Sequence, residues 1–167
     1  MESSKVRIVE ANDRPGDVIM LMQKYVDWLM VNDYAMKQVL ESQHLEDEVE
    51  DLNTKYAPPE GRLYIAEIDG RVAGCIGLTR LSDEICEAKR LYVLPEFRGN
   101  KIGETLMEKI ITDARTIGYK YVRLDSFPFM TSAVKLYDLF GFYPIENYNG
   151  NPSSNAIFRE LDLTIQP

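Results

Sequence analysis

A chain of 167 residues is long enough to bury one sizeable core and is short for two, so a single domain over residues 1–167 is expected. Its 45% hydrophobic and 28% charged residues are ordinary for a folded unit, and a formal net charge of −8 disfavours nucleic-acid backbones as partners. Two cysteines form neither a disulfide framework nor a paired-cysteine metal spacing. The single histidine, His44, argues against a histidine-rich zinc site and against most histidine-dependent triads, and no metal is expected.

The first residues, Met1 to Arg14, contain no long apolar run. Val18 to Val31 is interrupted by Gln23, Lys24 and Asp27. Neither reads as a leader or a membrane span, so a cytoplasmic protein that touches no membrane is expected. Val6 to Val9 reads as a first strand. Asp13-Arg14-Pro15-Gly16-Asp17 is a turn, with Asp17 placed to cap the next helix. Val18, Leu21, Met22, Tyr25, Val26, Leu29 and Met30 then recur at helical spacing. A second helix is predicted over Met36 to Leu52, with the acid run Glu46 to Asp51 on its solvated face.

Ala57-Pro58-Pro59-Glu60-Gly61 breaks that pattern. Strands are predicted over Arg62 to Ile68 and Val72 to Arg80. Asp69-Gly70 between them is a hairpin signal whose flanks allow a loop slightly longer than two residues. Gly74 and Gly77 inside the second strand mark a bulge or a close approach by a ligand. Cys86 to Leu94 is the next strand, ended by Pro95. Leu106, Ile110, Ala114 and Ile117 give a helix after Gly103 that closes at Gly118. Tyr121 to Asp125 is a strand, Phe127-Pro128-Phe129 a loop, and Ser132 to Phe140 a short helix ending at Gly141. Phe142 to Ile145 and Ala156 to Leu163 are terminal strands around a polar loop from Asn147 to Ser154. This order predicts an α/β (α+β) fold, a mixed sheet covered by helices.

The segment Arg98-Gly99-Asn100-Lys101-Ile102-Gly103 lies where a strand turns into a helix. Such a point collects free backbone N–H groups and binds anions, phosphates above all. It is not a triphosphate loop, because the Lys-Ser/Thr pair is absent, and it lacks the three glycines of a dinucleotide fingerprint. About thirty residues later comes Leu136-Tyr137-Asp138-Leu139-Phe140-Gly141-Phe142. The two segments together resemble the GNAT family of N-acetyltransferases, strongly from Glu87 to Phe142. The first matches the family's diphosphate motif in a variant register, with Lys101 where a middle glycine is usual.

The resemblance implies a mostly antiparallel central sheet flanked by helices, with two splayed strands forming a cofactor cleft. It implies acetyl-CoA as acyl donor and direct transfer to a primary amine of a small molecule or peptide. Backbone groups around Leu91 and Val93 would meet the pantetheine arm. Arg98, Gly99, Asn100, Lys101, Ile102 and Gly103 would hold the diphosphate. Tyr137 would be the acid that protonates the leaving thiolate, its hydroxyl partly exposed. Glu87 would be the base, with Asp125 as an alternative contact to the acceptor. Many relatives carry asparagine where this chain has Met130, so either Ser132, Ser126 or Thr131 takes its place or that contact is lost. For the acceptor side the aromatic supply is Trp28, Tyr34, Tyr56, Phe127, Phe129, Tyr143 and Tyr148, of which Trp28 is expected more in the core than in the pocket. A homodimer is compatible with this reading. The alternatives are a non-catalytic acyl-CoA-binding module and a structural domain without cofactor.

Overall fold

The computed structural model describes residues 5–32 and 52–165. The elements in chain order are β1 (Val6–Glu10), α1 (Pro15–Asn32), α2 (Leu52–Lys55), β2 (Arg62–Ile68), β3 (Arg71–Arg80), β4 (Ile85–Val93), a 3₁₀ turn (Pro95–Phe97), α3 (Ile102–Ile117), β5 (Tyr121–Ser126), α4 (Thr131–Phe140), β6 (Tyr143–Pro144) and β7 (Ile157–Asp162). The strands form one seven-stranded sheet in the order β1-β2-β3-β4-β5-β7-β6. Every pairing is antiparallel except β4 with β5. The mixed, mostly antiparallel sheet flanked by helices is therefore the observed architecture.

Local chemistry explains most boundaries. Helix α1 begins at Pro15, whose missing N–H and fixed φ suit a first helical position. Asp17 sits inside the first turn rather than at the cap, 2.8 Å from Arg14. The β2–β3 connection is the two-residue turn Asp69-Gly70, with φ of 50° and 77°, not a longer loop. In α3, Leu106, Met107, Ile110 and Ala114 are buried, each large apolar side chain contributing about 1.5–3 kcal/mol. The helix ends at Gly118, whose N–H donates to Ala114 O. The predicted second helix lies outside the described residues, apart from Leu52.

The two glycines of β3 admit protein, not ligand. A Cβ on Gly77 would sit 2.4 Å from the Tyr56 ring, so the absent side chain lets Tyr56 lie flat on the sheet. A Cβ on Gly74 would meet Tyr92 O at 2.6 Å and lies near the Ile102 side chain. Strand alternation thus puts Tyr56 and α1 on one face and α3 on the other. Tyr56, expected near the acceptor, is a fully buried core residue.

The β3–β4 register slips between Cys75 and Gly77, so that Arg90 and Leu91 both fall opposite Ile76, and Arg90 takes φ 60°. This bulge bends β4 midway along its length. Strand β5 pairs with β4 only from Ile85–Tyr121 to Glu87–Arg123. Beyond Glu87 the two strands separate.

Candidate active site

The separation of β4 and β5 opens a cleft of about 520 Å3. Leu91 and Val93 form one wall, Leu124 and Ser126 the other, and Gly103 and Leu136 lie at the mouth. The N–H of Leu94 donates to Ala73 O on β3. Alternation therefore turns the backbone groups of Val93 and Leu91 away from β3 and toward the gap. In a sheet interior those groups would be paired; here they line a cleft and call for a partner that is not a strand.

At the mouth, the 3₁₀ turn hands over to α3 through two left-handed residues, Gly99 (φ 88°) and Lys101 (φ 58°). Glycine takes that conformation without steric cost. The first bond of α3 runs from Thr105 N–H to Lys101 O at 3.0 Å, which leaves the amides of Ile102, Gly103 and Glu104 without intrahelical partners. No side chain caps the helix. Alternating left- and right-handed residues ahead of a helix start make a concave nest of N–H groups, and the helix dipole adds favourable potential for an anion. The exposed Arg98 and Lys101 stand beside this nest. Arg98 Nε donates to Val93 O at 3.4 Å, and its guanidinium lies 5.5 Å from the Trp28 ring. The Asn100 side chain is turned inward, donating to Phe97 O at 2.8 Å. The residue set fits a diphosphate.

Deeper in the cleft is Tyr137, whose side chain is buried rather than partly exposed. Its ring packs on Phe142 at 5.8 Å. Burial pushes the phenol well above its usual pKa, the neighbouring Tyr25 adds to this, and a hydrogen bond with Ser126 pulls the other way. The hydroxyl therefore keeps its proton at any ordinary pH. Tyr25, which the helical spacing of α1 assigned to the core, also lines the cleft, with burial pushing its pKa up to about 12. Ser132 lies exposed in the first turn of α4, at the cleft wall. Met130 accepts a hydrogen bond from Ser126 at 3.2 Å through its sulfur and packs against Leu29 and Phe127, which ties α1 to the β5–α4 loop. Trp28 lines the cleft as well, 5.8 Å from Phe129.

The two candidate carboxylates are placed differently. Glu87 is buried, accepts a hydrogen bond from Tyr148 and lies 3.5 Å from Lys89 Nζ. It lines a second cavity of about 450 Å3 with Thr79 and Gly61, not the cleft that holds Tyr137. Asp125 lines the cleft itself and accepts from Asn149 at 2.8 Å and Asn151 at 3.1 Å. The polar loop after β6 is thus laid across both strands. Its Tyr148 reaches Glu87, and the Arg123 guanidinium sits 5.4 Å from the Tyr148 ring while pairing with Glu160 at 2.8 Å. Tyr143 donates to Glu160, away from the cleft. Tyr34 and the acids Glu46 to Asp51 lie outside the described residues. Among the described residues no three histidine, cysteine or acidic side chains could hold a metal ion together.

Burial makes several phenols titrate late: Tyr25, Tyr64, Tyr119, Tyr137 and Tyr148 all lie above the ordinary value of 10. A raised folded-state value means the native chain holds those protons more tightly than the unfolded chain. Their contribution to stability is complete below pH 10 and is lost progressively as pH rises from 10 toward and past 12. Chemical denaturation followed from pH 8 to 12 is expected to show constant stability up to about pH 10 and a steep fall above it. Phenolate absorbance would appear for these residues together with unfolding, and their ionisation in the native state at pH 10 would refute the burial described here.

The family model described as acetyltransferase (GNAT) family matches residues 21–142. An uncharacterized N-acetyltransferase of Dictyostelium discoideum is 30% identical over 95% of this chain and 99% of its own length. Another uncharacterized N-acetyltransferase, from Schizosaccharomyces pombe, is 35% identical over 89% of this chain and 88% of its own. Among solved structures, a GNAT-family acetyltransferase of Staphylococcus aureus superposes with a TM-score of 0.77 at 21% identity, covering 95% of this chain and 99% of that one. The PaiA N-acetyltransferase of Thermoplasma acidophilum in complex with coenzyme A gives 0.73 at 18% identity, covering 96% and 99%. The family model spans most of the chain and the two relatives cover nearly all of it, so this chain belongs to the GNAT acetyltransferase family.

Proposed function

We propose that this protein transfers an acetyl group from acetyl-CoA directly to a primary amine of a small molecule or peptide. One observation carries the reading. The amide nest at the start of α3, the edge of β4 at Leu91 and Val93 where β5 no longer pairs, and the buried, protonated Tyr137 lie along one cleft. That is the order in which the diphosphate, the pantetheine amides and the thioester of acetyl-CoA would need partners.

In this arrangement the nest and Arg98 take the diphosphate, and the β4 edge pairs with the arm as a short added strand. The amine nitrogen forms a bond to the acetyl carbon while the carbon–sulfur bond breaks. Tyr137 gives its proton to the departing sulfur, and a proton lost by the acylated nitrogen replaces it. A thiol of ordinary pKa about 8.5 and a phenol above 10 leave the proton on sulfur only in part, so Tyr137 acts by hydrogen-bonding the developing charge as much as by transfer.

The test is acetyl-CoA with a panel comprising 2-phenylethylamine, histamine, spermidine, lysine and a peptide with an unblocked N-terminus, read by coenzyme A release and mass of the product. Acetylation of at least one amine is expected. Tight binding of acetyl-CoA with no transfer to any of them would instead support a binding module.

A further inference from the structure

We infer that Asp125 is the residue that recognises the acceptor, pairing as a carboxylate with its protonated amine, and that the loop from Asn147 to Ser153 holds Asp125 in place for that task. The inference deepens the proposed transfer to amines and rests on it.

Asp125 is on β5, the strand that leaves β4, and its side chain lines the same cleft as Tyr137 and Tyr25. Asp125 thus shares the cleft in which Tyr137 would meet the thioester sulfur. Glu87, the other acid on this face, is turned to Tyr148 and Lys89 and opens onto the second cavity.

The two amides that fix Asp125 both donate to Oδ2. Oδ1 receives no hydrogen bond from a described residue, so one oxygen is anchored and the other is left for a donor entering the cleft. The anchoring amides are themselves fixed. Asn149 Oδ1 accepts from Asn151 N–H at 3.0 Å, and Asn151 Oδ1 accepts from Ser153 N–H at 3.0 Å. Each oxygen is thus held by loop backbone, which orients each Nδ2 toward Asp125. Asn147 closes the loop, accepting from the N–H groups of Asn149 and Gly150 and donating to Asn151 O at 3.0 Å. Asn151 is buried despite its polarity. A side-chain network this complete holds one carboxylate in one orientation and costs little to keep in place when a ligand arrives.

An ammonium is the matching ligand: it carries charge and several donors, and a carboxylate oxygen is acceptor-only. The ammonium loses one proton, through water, before its nitrogen bonds to the acetyl carbon. That is the one proton the overall reaction releases. Asp125 binds and orients the amine; it is not required to hold that proton.

The experiment compares wild type, Asp125→Asn, Asp125→Glu and the double variant Asn149→Ala/Asn151→Ala with every reactive amine of the panel. Asp125→Asn is expected to raise the amine KM about tenfold or more while the acetyl-CoA KM stays within about twofold. The double variant shifts the amine KM in the same direction by less, and Asp125→Glu restores part of the loss. Unfolding curves establish that each variant is folded. Unchanged amine KM in folded Asp125→Asn, or an equal rise in both KM values, overturns the assignment of Asp125 and leaves amine acetylation standing. Failure of the wild type to acetylate any amine overturns both.

Discussion

Replacing Tyr137 with phenylalanine is expected to lower kcat by about 10²–10⁴ while leaving the acetyl-CoA KM within about twofold. The substitution removes one hydroxyl and keeps the ring that packs on Phe142, so the fold is retained. Ser126 keeps the Met130 sulfur as a partner and is not stranded. What is lost is the hydroxyl that the proposed mechanism sets against the departing sulfur. Because burial holds the Tyr137 pKa above the ordinary value, wild-type activity is not expected to fall between pH 7 and about 9.5 through loss of this proton. Stopped-flow or steady-state thiol release across that range measures both effects. Full activity in Tyr137→Phe would remove Tyr137 from the acid role.

Gly103→Trp is expected to weaken coenzyme A binding by about a hundredfold or more, because it blocks several charge-assisted hydrogen bonds to the diphosphate at once. A Cβ on Gly103 would lie 3.6 Å from Leu136 Cδ2 and 4.0 Å from Val93 Cγ2, ordinary contact distances that point it into the mouth of the cleft rather than into the core. An indole built from that position is expected to fill the mouth, between side chains that line the cleft. Gly103→Ala fits the same space and is the control: near wild-type affinity is expected. Calorimetric titration with coenzyme A, with melting curves for folding, gives the comparison. Undiminished affinity in folded Gly103→Trp would mean the diphosphate is held elsewhere.

The features legible in the sequence are those set by local chemistry. Asp69-Gly70 is a turn dipeptide and made the predicted hairpin. The apolar spacing of α3 and the glycines at 118 and 141 marked two helices to within a residue or two. The anion nest was readable because a strand, glycines and a helix start are each local signals. The bulge at Arg90 was not readable: nothing in Cys86 to Val93 demands a left-handed arginine, and the distortion follows from how β4 must meet β3.

The different placing of Glu87 and Asp125 has the same origin. The two acids occupy neighbouring strands that pair with each other only at their starts. Which one faces the cleft depends on where those strands part and on a loop more than twenty residues beyond Asp125 in the chain. Tyr56 and Trp28 owe their positions to a similar cause. The absent side chain of Gly77 drew Tyr56 into the core, while the end of α1 carried Trp28 to the cleft wall beside Arg98. Periodicity assigns a residue to a face; it does not say what lies over that face.

A crystal structure of the full chain with coenzyme A tests the account most directly. It is expected to show the diphosphate on the amides of residues 99–104, the pantetheine arm paired along Leu91 and Val93, and the sulfur within hydrogen-bonding reach of the Tyr137 hydroxyl. Coenzyme A bound away from the start of α3, or a sulfur remote from Tyr137 with the β4–β5 gap closed, would contradict it.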